Sequence, residues 1–116
     1  MRRNPKAYLW DAREAARTIA DFIDGVDEAT YLGSPLLRSG VERQLEILGE
    51  ALNQLEKAAP AIAARVPDLR SAVDLRNVLI HGYAKLNQRI IWATAQEDVP
   101  RLRAALEEIL RSLESP

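Results

Sequence analysis

The stretch Ser34 to Ala58, SPLLRSGVERQLEILGEALNQLEKA, decides the fold. Leu37, Val41, Leu45, Leu48, Leu52 and Leu55 recur in it at spacings of four and three, which gathers them on one face of an α-helix and on no face of a strand. Ser34 followed by Pro35 supplies the start, because a serine oxygen accepts from the first unpaired amides and proline loses nothing at a position whose amide has no partner. The spacing predicts a helix of about six turns ending near residue 58. Gly49 lies inside it, where glycine costs about 1 kcal/mol relative to alanine. Close approach of a second helix would explain it, and so would chance.

Upstream, Asn4 and Pro5 repeat the start signal, and Leu9, Ala12, Ala16, Ile19, Phe22 and Ile23 form an apolar stripe ending near Gly25. This predicts a helix over roughly 5–24, antiparallel to the first across a connector of turn residues. Downstream, Pro60 and Pro67 bracket an alanine-rich piece with room for about one or two helical turns. Asp68 stands where it would cap a third long helix, with Leu69, Ala72, Val73, Leu79 and Ile80 as its apolar face and Gly82 as its stop. Asn87 opens a fourth through Ile90, Ile91 and Trp92, which Pro100 bends or restarts before Leu102, Leu106, Ile109, Leu110 and Leu113. The expectation is a single all-α domain over residues 1–116, an antiparallel bundle of four main helices with the last one broken.

Composition narrows the function. With 47% hydrophobic and 28% charged residues in 116, the chain has the apolar content of one globular core and lies away from the disordered corner. The absence of cysteine excludes a disulfide framework, a thiol nucleophile and thiolate metal sites, and a single histidine leaves too few ligands for zinc. No metal or other cofactor is expected. The net charge of −1 and a pI near 5.9 argue against a general basic field, so any RNA contact must be local. No apolar segment of signal-peptide or membrane-spanning kind follows the basic Met1-Arg2-Arg3, and the chain reads as soluble and cytoplasmic.

The chemistry concentrates in Arg76-Asn77-Val78-Leu79-Ile80-His81-Gly82-Tyr83. Histidine, with an unperturbed pKa of about 6.5, takes a proton in one step and returns it in another. Arginine stays charged and offers a planar fork of donors to phosphate oxygens. On an ideal helix Arg76 and His81 lie about 140° apart, whereas Asn77 and His81 share a face, so the amide can orient the imidazole or a bound phosphate. The same residues also have a purely structural reading, a histidine favoured at a helix C-terminus by the dipole and a solvated arginine. Glu42, Glu46 and Glu50 form a carboxylate row at i, i+4 spacing, which fits a solvated or intersubunit face better than a metal site. Trp10 and Trp92 read as core or dimer anchors.

Arg76, four residues, His81, one residue, Tyr83, with polar Asn77 after the arginine, resembles the signature of the HepT-like proteins of the HEPN superfamily. Ile47-Leu48-Gly49-Glu50-Ala51 is similar to the family's second-helix motif, and Ile91-Trp92 and Glu97-Asp98-Val99-Pro100-Arg101-Leu102 to its C-terminal pattern. A tryptophan often precedes the signature helix in such proteins; here the segment reads Val66-Pro67-Asp68-Leu69, a change expected to alter packing rather than chemistry. The resemblance implies a homodimeric, metal-independent endoribonuclease, the toxin of a toxin-antitoxin pair whose antitoxin is a minimal nucleotidyltransferase. It casts His81 and Arg76 as catalytic, Asn77 as orienting substrate, and Tyr83 as the hydroxyl that the antitoxin adenylylates. The competing class is a non-catalytic helical subunit of a two-component nucleotidyltransferase, in which Arg76 and His81 contact a nucleotide phosphate; a third is a purely structural helical dimer.

Overall fold

Three of the four predicted helix starts form as their side chains dictate. In the computed structural model, which describes residues 3–82 and 86–114, Asn4 Oδ1 accepts from the Lys6 amide at 2.8 Å. Ser34 Oγ accepts from Leu37 at 3.2 Å, and Asn87 Oδ1 from Arg89 at 3.0 Å. The elements are α1 (Pro5–Ile23), α2 (Glu28–Leu32), α3 (Pro35–Ala58), α4 (Pro60–Ala63), α5 (Leu69–His81), α6 (Gln88–Ala93), one π-helical turn (Thr94–Asp98) and α7 (Val99–Glu114). Every element among the described residues is helical. No described helix is long and apolar enough to cross a membrane.

The fourth start differs from expectation. Asp68 makes no capping hydrogen bond and sits in the left-handed region at φ 58°, a conformation aspartate tolerates better than most residues. Its carboxylate turns away from the α5 amides and accepts from Arg101 Nη2 at 3.2 Å, while the same nitrogen reaches Asp98 at 2.8 Å. The sharp entry after Pro67 thus ties α5 to α7 instead of capping it. Gly82 stops α5 as predicted, left-handed at φ 60°, the geometry in which glycine has no Cβ to clash.

Within the last helical stretch the break precedes Pro100. The Val99 amide reaches back to Thr94, an i→i−5 bond that widens one turn. Proline has no amide and crowds the carbonyl four residues back, here that of Gln96, which lies inside the wide turn.

Helix α1 packs on α3 and α7, and α3 on α5. Leu9, Ile19, Leu48, Leu52, Leu55 and Leu106 are fully buried, each burial being worth about 1.5–3 kcal/mol. Three residues assigned to core stripes lie outside: Phe22 is 39% exposed, Ile80 45% and Ile90 59%. They stand near helix ends, where periodicity continues but neighbouring helices cover the face only in part. Trp92 is core, whereas Trp10 is half exposed.

The connector contains helix α2, and it brings in a core residue that periodicity misses. Asp27 Oδ1 accepts from the Thr30 amide at 2.8 Å, and hydrogen bonding from Thr30 holds the Asp27 carboxyl below its ordinary range. The cap directs Tyr31 inward, where it is fully buried against Trp92 with ring centroids 5.1 Å apart. Its hydroxyl donates to Gln88 Oε1 at 3.0 Å, and Gln88 Nε2 donates to Glu42 Oε2 at 2.9 Å.

Burial first, and the Glu42 charge second, push the Tyr31 hydroxyl from 10.0 up to about 12. The unfolded chain therefore releases this proton at lower pH than the folded one. The resulting contribution to stability is complete below about pH 10 and is lost as pH rises toward the folded value. Tyr31→Phe is expected to lose about 1 kcal/mol at neutral pH and to show a shallower decline in urea midpoint between about pH 10 and 12. Parallel declines for the two proteins would assign the alkaline transition to other groups.

Candidate active site on helix α5

Helix α5 reaches α3 at a crossing only glycine permits. A Cβ on Gly49 would lie 2.3 Å from Arg76 Cβ and 2.8 Å from the Ala72 carbonyl oxygen, well inside contact distance. Of the two explanations for Gly49, close helix approach is the one that holds. The Arg76 stem rests on the Gly49 backbone, and its guanidinium emerges beside Glu50.

The guanidinium is held from two sides. Nη1 donates to Asn77 Oδ1 at 2.8 Å, and Nη2 lies 2.5 Å from Glu50 Oε2. Arg76 keeps about a quarter of its side chain accessible, which leaves it partly desolvated with an edge open to solvent. Asn77 shares a face with His81 by spacing, but its carbonyl oxygen accepts from Arg76, so the group it holds is the arginine. A fork held this way presents donors to a phosphate at a small entropy cost.

The open edge faces a groove of about 330 Å³ between α1, α3 and α5. Arg3, Arg43 and Arg76 line it together with Asp11, Glu46 and Glu50. Arg3 pairs with Asp11 at 2.7 Å and Arg43 with Glu46 at 3.5 Å. Three cations thus face three carboxylates, and the groove has local arginine donors without a net basic field. The carboxylate row of α3 does not act as a unit: Glu42 accepts from Gln88, Glu46 pairs with Arg43 and Glu50 with Arg76. Among the described residues no group of three potential metal ligands converges.

His81 is the last residue of α5 and is exposed. It does not line the groove that Arg76 enters. One chain therefore brings Arg76, Asn77 and Glu50 together and presents His81 on another side of the same helix, as the angular spacing requires. Val78 and Ile80, on the turn leading to His81, are 37% and 45% exposed. Tyr83 lies outside the described residues. The part of Glu50 was not legible as such; its signal was the pairing of an intrahelical glycine with the carboxylate that follows it.

The family model Ribonuclease HepT-like matches residues 12–109. A provisionally named RNase of Methanocaldococcus jannaschii is 32% identical over 91% of this chain and 96% of its own. A protein of Thermococcus cleftensis named Probable ribonuclease HepT is 31% identical over 94% of this chain and 98% of its own. A provisionally named RNase of Caldanaerobacter subterraneus is 30% identical over 94% and 96% respectively. No solved structure matches the chain.

Proposed function

We propose that this chain, which belongs to the ribonuclease HepT-like family, cuts RNA by attack of a ribose 2′-hydroxyl on the adjacent phosphorus. It is an endoribonuclease by family, and what carries the mechanism is the Arg76 fork, held by Asn77 and Glu50 at the edge of a groove. Neutral His81 accepts the 2′-hydroxyl proton as the new P–O bond forms. Charge then accumulates on the non-bridging oxygens, where Arg76 stabilises it; since one chain keeps His81 and Arg76 on different sides of α5, the two meet at one phosphate in a cleft formed by two copies. The bond to the 5′-oxygen breaks, leaving a 2′,3′-cyclic phosphate and a 5′-hydroxyl.

The leaving 5′-oxygen needs a proton, and the chain has one histidine. A second copy supplies the acid in this reading, its His81 lying across a symmetric cleft from the first. Val78, one turn before His81 on the same face and 37% exposed, gives such a dimer apolar surface to bury. The enzyme is the toxin of a toxin-antitoxin pair and its antitoxin a minimal nucleotidyltransferase. Adenylylation of Tyr83 adds phosphate charge and bulk two residues from His81, opposing RNA by repulsion and occlusion. The intact mass of Tyr83-containing protein made together with such a partner reads that modification, and an unmodified chain in a neutralised complex would reject it.

The test of the chemistry is cleavage of single-stranded RNA in the presence of a metal chelator. Wild-type protein is expected to produce cyclic-phosphate ends, and His81→Ala to lose about 10²- to 10⁴-fold in rate with helicity unchanged. Undiminished cleavage by folded His81→Ala would remove the histidine from the mechanism; binding of RNA without cleavage by wild type would favour the non-catalytic subunit.

A further inference from the structure

Of the carboxylates in the groove, Glu50 alone has a buried oxygen without a hydrogen-bond partner. Its Oε1 accepts from Gln54 Nε2 at 2.8 Å. Its Oε2 is buried and has no aligned hydrogen-bond donor, yet lies 2.5 Å from Arg76 Nη2. The contact is charge against charge, outside hydrogen-bond angles. Arg3 and Arg43 keep 55% and 68% of their side chains exposed, against 24% for Arg76. The other two pairs are therefore more solvent-screened on the arginine side, whereas Arg76 and Glu50 meet at a crossing with no room for a single methyl group.

The backbone sets the two residues side by side. Gly49 brings α5 against α3, and the next residue on α3 then falls beside the arginine. We infer that Glu50 is a positioning residue for RNA cleavage: with Asn77 at the opposite nitrogen, it fixes the rotation of the Arg76 guanidinium so that the free edge of the fork meets the phosphoryl oxygens. The inference rests on the ribonuclease reading above. A long arginine side chain has many rotamers, and holding it before substrate arrives transfers the ordering cost from the reaction to the fold. Because Glu50 acts on orientation and not on RNA, its removal affects turnover more than binding.

Glu50→Gln keeps the shape and the contact to Gln54 while removing the charge. In steady-state cleavage it is expected to lower kcat by up to about 10²-fold, the usual scale for misplacing a catalytic group by about 1 Å. KM should stay within about threefold of wild type, since the charge of Arg76 is retained. In an Arg76→Ala background the same substitution should cause no further loss. An unchanged kcat in folded Glu50→Gln, or losses that add in the double variant, would overturn the inference. Rotation of the Arg76 guanidinium, followed by nitrogen NMR, separates this from the ribonuclease reading. It should be hindered in wild type and fast in Glu50→Gln whether or not RNA is cut, and equal rates would reject the tether even in an active enzyme. Wild type that cuts no RNA but shows hindered rotation sinks the ribonuclease reading alone.

Discussion

Arg76→Ala is expected to lower RNA cleavage by about 10²- to 10³-fold, the range seen when one preorganised donor to a developing oxyanion is removed. Helicity should be retained, because the arginine lies at the edge of the core and not within it. The variant leaves Glu50 Oε2 without its cation. For a fully buried pair such a loss costs about 3–5 kcal/mol, but 42% of the Glu50 side chain is exposed and water replaces much of the partner. A loss of about 1–2 kcal/mol follows, read as a lowered urea midpoint. Arg76→Lys sharpens the test: it restores a cation for Glu50, and most of the stability, but not the planar fork. Its activity should remain close to that of the alanine variant. Full activity in Arg76→Lys would mean that charge alone is used and that the geometry around the guanidinium is incidental.

Gly49→Ala should both destabilise the protein and impair cleavage, against the usual trend for glycine in a helix. At an open helical position the change gains about 1 kcal/mol. Here the new methyl would meet Arg76 Cβ at 2.3 Å and the Ala72 carbonyl at 2.8 Å, so α5 has to move away from α3. Overpacking of this kind costs about 1–3 kcal/mol, which exceeds the propensity gain. Displacing α5 carries Arg76 away from Glu50, and a shift of about 1 Å at a catalytic group is worth up to about 10²-fold in rate. Gly40 in the same helix is the control. A methyl there would meet only the Phe22 ring, at 3.1 Å, and that ring is 39% exposed and free to give. Gly40→Ala should be near neutral and fully active. If Gly49→Ala proved as stable and as active as Gly40→Ala, the α3–α5 crossing could not be what places Arg76.

The regular parts of the fold were legible because their signals are local. Cap-plus-proline pairs at Asn4-Pro5 and Ser34-Pro35 act through bonds two or three residues long, and Gly82 ends α5 through its own φ. Asp68 failed as a cap because its backbone is left-handed at φ 58°, not the extended conformation from which a cap side chain reaches the first amides; Arg101, 33 residues away, donates to its carboxylate instead. Tyr31 was hidden in a connector because its burial depends on Trp92 and Gln88, more than 50 residues downstream.

For the site, the sequence by itself determined the candidate groups: one histidine, an arginine five residues before it, and an angular separation that keeps them on different sides of one helix. Helical geometry is set by each residue and its near neighbours, so that much needs no tertiary information. Only the tertiary structure decided what surrounds Arg76. Gly49 and Glu50 lie more than 25 residues from it in the chain and meet it because α3 and α5 pack at a distance set by a missing Cβ. Which carboxylate of the α3 row pairs with the arginine, and which only faces water, depends on that crossing point, and a crossing point is a property of two helices together.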